Sequence, residues 1–344
     1  MTTTPWLPTS AELASHTKVS TELVAAAESL NKAALLLSDC GMADRARELC
    51  WRQFDLFRSH SPLAPRTAKL ALQPLVNIGR LQIRTGDEHR AHELFTGLYQ
   101  AMRGGAAIRI DDRVVDTANL LDDRERRSEL VRFLWTVLLA DGTRALTRAG
   151  RWEHALAHIE CHRGIGERLL NGRQVAIITG IVNGDHDHAL ELLDRSGTHE
   201  PWEQAIADCL ATLCLTLAGR DTQLAEHRML EHYLDLGTTP PVFRCRLGLV
   251  VLDLLRHAPA APIAANITQQ AISAGDAYVA RDVDTHRTCM VGTSAATRQQ
   301  MSTIVTDGGL GHDPYLPAAL LDTITDAAAA SEEGMSRFLR GGCR

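Results

Sequence analysis

Thr147-Arg148-Ala149-Gly150-Arg151-Trp152-Glu153-His154-Ala155-Leu156 and Val182-Asn183-Gly184-Asp185-His186-Asp187-His188-Ala189-Leu190 align on their glycines. Gly150 stands 34 residues before Gly184, and Ala155 stands 34 before Ala189. The same pairing, glycine and then alanine five residues on, recurs as Gly41 with Ala46 and as Gly86 with Ala91. A fixed period of this length marks stacked supersecondary units. Between two helical stretches the glycine supplies a tight turn, and the small alanine lets the second helix approach the first. A fifth unit around Gly219 carries Leu224 in place of the alanine, so its helices need a wider crossing.

The unit from Leu75 to Ala101 has Ile78-Gly79, the turn glycine Gly86, Ala91 and Phe95 in register. With these residues it resembles the tetratricopeptide repeat. In the other units Cys50, Ile159 and Leu193 stand where that family favours an aromatic, which keeps packing volume and loses the signature. The resemblance covers residues 22–236. It implies an all-α fold, a right-handed superhelix of antiparallel helix hairpins forming a single elongated domain over 1–344, with helical hairpins and a cap over 240–344.

Two inserts interrupt the period. The stretch RSHSPLAPRT, around 59–68, has prolines and serines that break helix and read as a surface loop. The second, 103–130, opens on Gly104-Gly105, and its short alternation around Asp111-Asp112 suits either a small β-hairpin or a polar loop. Asp111, Asp112, Asp122 and Asp123 are read as turn and solvation residues. Downstream, Pro240-Pro241 starts a helix through Leu255, and a second helix is expected from Ile263 to Arg281. DVDTHRTCMVGTS and DGGLGHDPYLP read as connections, and PAALLDTITDAAAASEEGMSRFLR as one or two capping helices.

In the family that the chain resembles, the first helix of each pair lines a groove, and the residues six and two positions before the turn glycine face ligand. Carried over, those positions are Leu35 and Asp39, Arg80 and Arg84, Arg144 and Arg148, Ile178 and Val182, and Leu213 and Leu217. Two arginine pairs at i,i+4 spacing fall in successive units, so four guanidinium groups would converge on one wall and fork onto carboxylates or phosphates. The partner-binding groove is therefore assigned to Arg80, Arg84, Arg144, Arg148, Ile178 and Val182. Its partner would be a peptide or protein segment acidic at one end and apolar at the other. The competing reading is that these arginines are solvated, or pair with neighbours such as Asp141 and Asp87. Replacing Arg80 and Arg144 together by glutamate is expected to abolish capture without unfolding.

His154, His158 and His162 follow at i, i+4 and i+8 beside Cys161, with His186 and His188 one unit later. That spacing places them as candidate metal ligands, but no HExxH accompanies them, and surface or packing histidines are the expected reading. No metal or cofactor is therefore assigned. The eight cysteines lack any CxxC spacing and read as reduced structural thiols, and no GxSxG or cysteine-nucleophile signature is present.

The chain has 344 residues, 45% of them hydrophobic, and a formal charge of -6, so polyanion binding would need a local basic patch. Direct nucleic-acid contact is not expected, since no helix-turn-helix with a basic recognition face precedes residue 30. The opening MTTTPWLPTS has neither the basic start nor the apolar stretch of a signal peptide, and the run Phe133 to Ala140 is too short to span a bilayer. A cytoplasmic protein with no membrane contact is expected. Lysine occurs only at Lys18, Lys32 and Lys69 against many arginines, which suggests GC-rich bacterial coding.

The function expected first is a non-catalytic scaffold, adaptor or substrate-holding subunit of a bacterial biosynthetic or regulatory assembly. Two alternatives stand beside it. One is an enzyme modifying a peptide or small molecule through the His154/His158/Cys161 cluster or the 103–130 insert. The other is the sensory part of a regulator.

Overall fold

Each of the five turn glycines adopts the left-handed backbone the period requires, with φ of 79° at Gly41, 82° at Gly86, 70° at Gly150, 79° at Gly184 and 67° at Gly219. The residue after each glycine donates its N–H to a carbonyl five residues back: Met42 to Leu37, Asp87 to Gln82, Arg151 to Leu146, Asp185 to Gly180 and Arg220 to Leu215, all at 2.8–2.9 Å. This is the Schellman ending, repeated without variation, in which a left-handed residue lets the chain satisfy the last carbonyls of one helix before starting the next. A Cβ at Gly86, Gly150, Gly184 or Gly219 would meet nothing within 4 Å, so backbone conformation and not space selects glycine there.

The alanine five residues on is buried in four units, at Ala46, Ala91, Ala155 and Ala189. In the fifth, Leu224 is 64% exposed, so that helix turns another face to its partner. Close approach also uses glycine on the first helix: a Cβ on Gly79 would lie 2.5 Å from Phe95 Cζ, and one on Gly180 would lie 3.3 Å from Ala189 Cβ.

The computed structural model describes residues 22–121, 127–237, 239–310 and 316–341. Asp122, Asp123, Cys343 and the opening stretch read for a leader lie outside them. Among the described residues the fold is all-α with one two-stranded antiparallel hairpin. Its helices gather into two compact units, which are described separately.

The first unit comprises residues 22–151 and 316–341. It is built from α1 (Glu22–Asp39), α2 (Ala43–Arg58), α3 (Pro65–Arg84), α4 (Glu88–Gly104), the strands β1 (Ala107–Ile110) and β2 (Arg113–Asp116), α5 (Arg127–Val137), a π-helical turn (Leu138–Gly142) and α6 (Thr143–Arg148). Helix α17 (Ala318–Gly341) completes it. Successive helices pack in order, and the first helices α1 and α3 also touch directly, as do α3 and α5. The core runs continuously through Leu30, Phe57, Leu72, Leu75, Ile78, Phe95, Leu98 and Met102 to Leu134. Helix α3 begins at Pro65, with proline where an N–H would have no intrahelical acceptor.

The hairpin expected at Asp111-Asp112 is present, pairing Ile110 with Arg113. Asp111 takes a left-handed φ of 53° at its tip, a conformation that aspartate tolerates. Its carboxylate accepts from Trp51 Nε1 at 3.0 Å and from the Arg47 guanidinium, while Arg113 bonds Asp55 at 2.7 Å and stacks over the Trp51 ring. Asp111, read as a solvated turn residue, instead fastens the hairpin to α2.

The cap is a single helix. Along α17, Ile324, Ala327, Ala328, Met335 and Leu339 enter the core, and Glu332 reaches Arg52 at 2.5 Å. It packs against α1 and α2, so the last helix in sequence covers the first hairpin.

The second unit, residues 152–310, holds α7 (Trp152–Cys161), α8 (Asn171–Val182), α9 (His186–Asp194), α10 (Pro201–Leu217), α11 (Gln223–Leu234), α12 (Pro241–Leu254), α13 (Ala260–Ala274), α14 (Ala277–Asp284), α15 (Arg287–Met290) and α16 (Ala295–Asp307). The helix expected from Ile263 to Arg281 is two helices. Gly275 ends α13 at φ 60°, and the Asp276 side chain caps α14 by accepting from the N–H groups of Tyr278 and Val279. The stretch read as a connection after Arg281 likewise contains the end of α14 and α15.

Candidate functional site

Arg80 and Arg84 occupy the last turn and a half of α3, and Arg144 and Arg148 lie on α6, so all four belong to the first unit. Arg84 reaches back to the preceding first helix, donating to the Leu35 carbonyl at 3.3 Å and pairing with Asp39 at 3.4 Å. Leu35 and Asp39 are the residues that hold the same two register positions on α1. Equivalent positions of the first helices α1 and α3 therefore lie side by side, as the repeat requires.

Arg80 reaches the other way, with Nε at 3.1 Å and Nη2 at 2.8 Å from Asp141 Oδ2. Asp141 is buried within the π-helical turn. Such a turn carries one residue more than an α-helical one and re-aims the side chains around it, a device common at functional sites.

A polar line runs across the layer from this pair: Arg80 Nη1 donates to Asn77 Oδ1 at 3.4 Å, and Asn77 Nδ2 to Asn31 Oδ1 at 2.8 Å. Asn77 is buried, so both its bonds to neighbouring side chains matter for its presence there. Neither asparagine was singled out from the sequence, because an isolated polar residue on an apolar helix face has no spacing signature.

Arg148 is the loosest of the paired arginines, 3.7 Å from Glu88 at the start of α4. Asp87, the other neighbour expected to take up an arginine of the cluster, accepts from the Arg90 N–H at the N-terminus of α4 and pairs with Arg90. Arg144 is half-buried and makes no side-chain hydrogen bond among the described residues. Burial pushes its guanidinium below the ordinary arginine value; Asp141 opposes that shift, and Arg80, Arg84 and Arg148 reinforce it. Arg144 thus lies close enough to feel the charge of each of the other three.

Ile178 and Val182 belong to the second unit. Ile178 packs on the small core formed by Leu169, Ile177, Ile181, Ala189, Leu210 and Cys214, as Leu213 does one unit later. Val182 and Leu217, at the equivalent positions of α8 and α10, are each 57% exposed. Of the apolar register positions Ile178, Val182, Leu213 and Leu217, the two that face outward are thus Val182 and Leu217.

His158 and His162 sit edge to face with ring centroids 4.9 Å apart on and just beyond α7, next to the exposed Cys161, while His154 is exposed on the same helix. Among the described residues no three histidine, cysteine or acidic side chains are placed to hold a metal ion. Cys40, Cys50, Cys209, Cys214, Cys245 and Cys289 are buried free thiols, and burial pushes Cys50, Cys209 and Cys245 up to about 12, far from a reactive thiolate.

The second unit also contains carboxylates tied into its frame. Buried Glu226 accepts from Thr222 Oγ1 at 2.7 Å, from the N–H groups of Arg256 and His257 at 3.0 Å each, and contacts His257 Nδ1 at 2.9 Å. Glu203 binds Arg168 at 2.6 Å and accepts from the His199 and Glu200 N–H groups, closing the N-terminus of α10. These are fastenings between helices, and each uses its acceptor oxygens on the protein itself.

No described helix is long and apolar enough to cross a membrane. No protein-family model matches the chain, and no curated protein or solved structure matches it significantly.

Proposed function

We propose that this chain is a tetratricopeptide-like, right-handed helical scaffold that holds a segment of another polypeptide and performs no chemistry on it, in the cytoplasm of a bacterium. The observation that carries the reading is the arginine face of the first unit. Arginines at matching register positions of α3 and α6 are near enough for Arg144 to feel the charges of the other three, and Arg144 makes no side-chain hydrogen bond among the described residues. A surface of this kind suits an acidic extended or helical segment, with arginine giving orientation through its planar fork. Val182 and Leu217 would serve an apolar segment within the second unit.

The test must respect what each arginine does in the fold. Arg80 neutralises buried Asp141, so glutamate at position 80 would set two carboxylates against each other and destabilise the unit. The expectation that Arg80 and Arg144 can both become glutamate without unfolding is therefore replaced by a milder pair, Arg144→Gln with Arg148→Gln. An array of peptides pairing an acidic block with an apolar block, probed with the labelled full chain, should show binding that this double variant loses while its circular dichroism is unchanged. No binding by the wild-type chain, or equal binding by both, would sink the scaffold reading.

A further inference from the structure

Charge counting within the cluster separates Arg144 from the other three arginines. Arg80 faces Asp141, Arg84 faces Asp39 and Arg148 faces Glu88, at 2.8, 3.4 and 3.7 Å. Four guanidinium groups thus meet three carboxylates, and one positive charge is left over, on a side chain that is half-buried. Arg144 has lost part of its hydration, and the one opposite charge that it feels, Asp141, is already bonded to Arg80, which is unfavourable until a further anion arrives.

The backbone carrying Arg144 is fixed. Thr143, Ala145 and Leu146 are buried on either side of it, and the π-helical turn before it is held by the Arg80–Asp141 bond. A ligand would therefore meet a guanidinium carried on a fixed backbone, and binding would order the side chain alone.

We infer that Arg144, flanked by Arg80, Arg84 and Arg148, is a subsite for a single carboxylate group. The charge count favours a monoanion: one carboxylate brings the cluster to neutrality, whereas a phosphate dianion would overshoot it. The planar guanidinium offers two parallel N–H donors to two carboxylate oxygens, a match that partial burial strengthens. The carboxylate can be an acidic side chain or a chain-terminal group, since both present the same two oxygens. This inference rests on the reading of the arginine face as a binding surface and specifies the chemistry of its anchor.

The experiment uses the full chain with 15N-labelled arginine. The Nε–H resonance absent from the Arg144→Gln variant identifies Arg144, and its shift is followed at constant ionic strength. The probes are N-acetylglutamate α-amide for a side-chain carboxylate, N-acetylglycine for a terminal one, acetamide as the neutral control, and inorganic phosphate. The expected result is a saturable shift with at least one carboxylate and none with acetamide. Arg144→Gln should weaken that carboxylate's affinity, read from the Arg148 backbone amide of α6, by about tenfold, the equivalent of one charge-assisted bond. Phosphate binding more tightly than both carboxylates would overturn the monoanion assignment. Shifts that rise without saturation and alike for every anion would overturn the subsite altogether.

The outcomes also separate the two readings. Carboxylate binding at Arg144 with no peptide bound on the array would remove the scaffold reading and keep the subsite. Array peptides bound as well by Arg144→Gln alone as by wild type would do the reverse.

Discussion

Glu226 shows how a single carboxylate can carry part of the second unit. Burial alone would raise its pKa, but the N–H groups of Arg256 and His257, the Thr222 hydroxyl and the His257 ring hold it down at about 2. A carboxylate whose folded pKa is depressed stabilises the fold fully above its unfolded value and ceases to do so as pH falls through the folded one. The window runs from about pH 5 down to about pH 2, and the contribution at neutral pH is about 3 kcal/mol at most. Urea unfolding followed by circular dichroism at pH 6 and pH 3 should show a loss of stability on acidification. In Glu226→Gln stability at pH 6 should be lower and its pH dependence flatter. A variant with the wild-type slope would mean that other carboxylates dominate the acid response. The Arg80–Asp141 pair belongs to the same class of fastening, yet Arg80 is more than a third exposed, so solvent weakens its share.

At the scale of the helix pair, two glycines of one hairpin answer to different physics. Gly86 is required by its left-handed φ and has open space where a Cβ would go, whereas Gly79 lies in ordinary helix but against the Phe95 ring. Gly86→Ala should cost about 1–2 kcal/mol from backbone conformation alone. Gly79→Ala should cost about 1–3 kcal/mol from overpacking. Phe95→Leu, which opens room, should recover part of the second loss and none of the first; thermal unfolding of the two double variants reads the difference directly. This contrast also marks how much the sequence discloses. The Schellman turns were legible because left-handed backbone all but demands glycine at a fixed spacing, and the hairpin because alternation brackets Asp111-Asp112. The π-helical turn was not, since one added residue in a helix leaves the apolar pattern nearly intact. Nor was the break at Gly275-Asp276, where apolar residues on both sides continue a helical period across the cap. Of the site, the positions of Arg80, Arg84, Arg144 and Arg148 followed from register. Of their partners, Asp141 was legible as a neighbour and meets Arg80, whereas Asp39 and Glu88 come from other helices, and pairing across helices depends on side-chain reach that no local spacing encodes.

At the scale of the molecule, the division into two units places the arginine face and the exposed pair Val182 and Leu217 in different bodies, so each can be tested alone by mutation. The first unit is discontinuous: α17 lies against α1 and α2 and adds Ile324, Ala327, Ala328, Met335 and Leu339 to their core. Ending the chain after Leu310 would expose that apolar face. Peptide-resolved hydrogen exchange should show loss of protection through α1 and α2 with α10 to α13 unaffected, and equal protection in both units would refute the role given to α17. The arrangement also has a consequence for the order of events on the ribosome. Residues 152–310 can fold as soon as they emerge, whereas α1 waits for a helix translated roughly 280 residues after it. At elongation rates of about 5–20 residues per second, that interval is on the order of 15–60 s. For that time the apolar face of α1 is open to chaperones on the nascent chain, and a stalled or truncated transcript would leave it open for good.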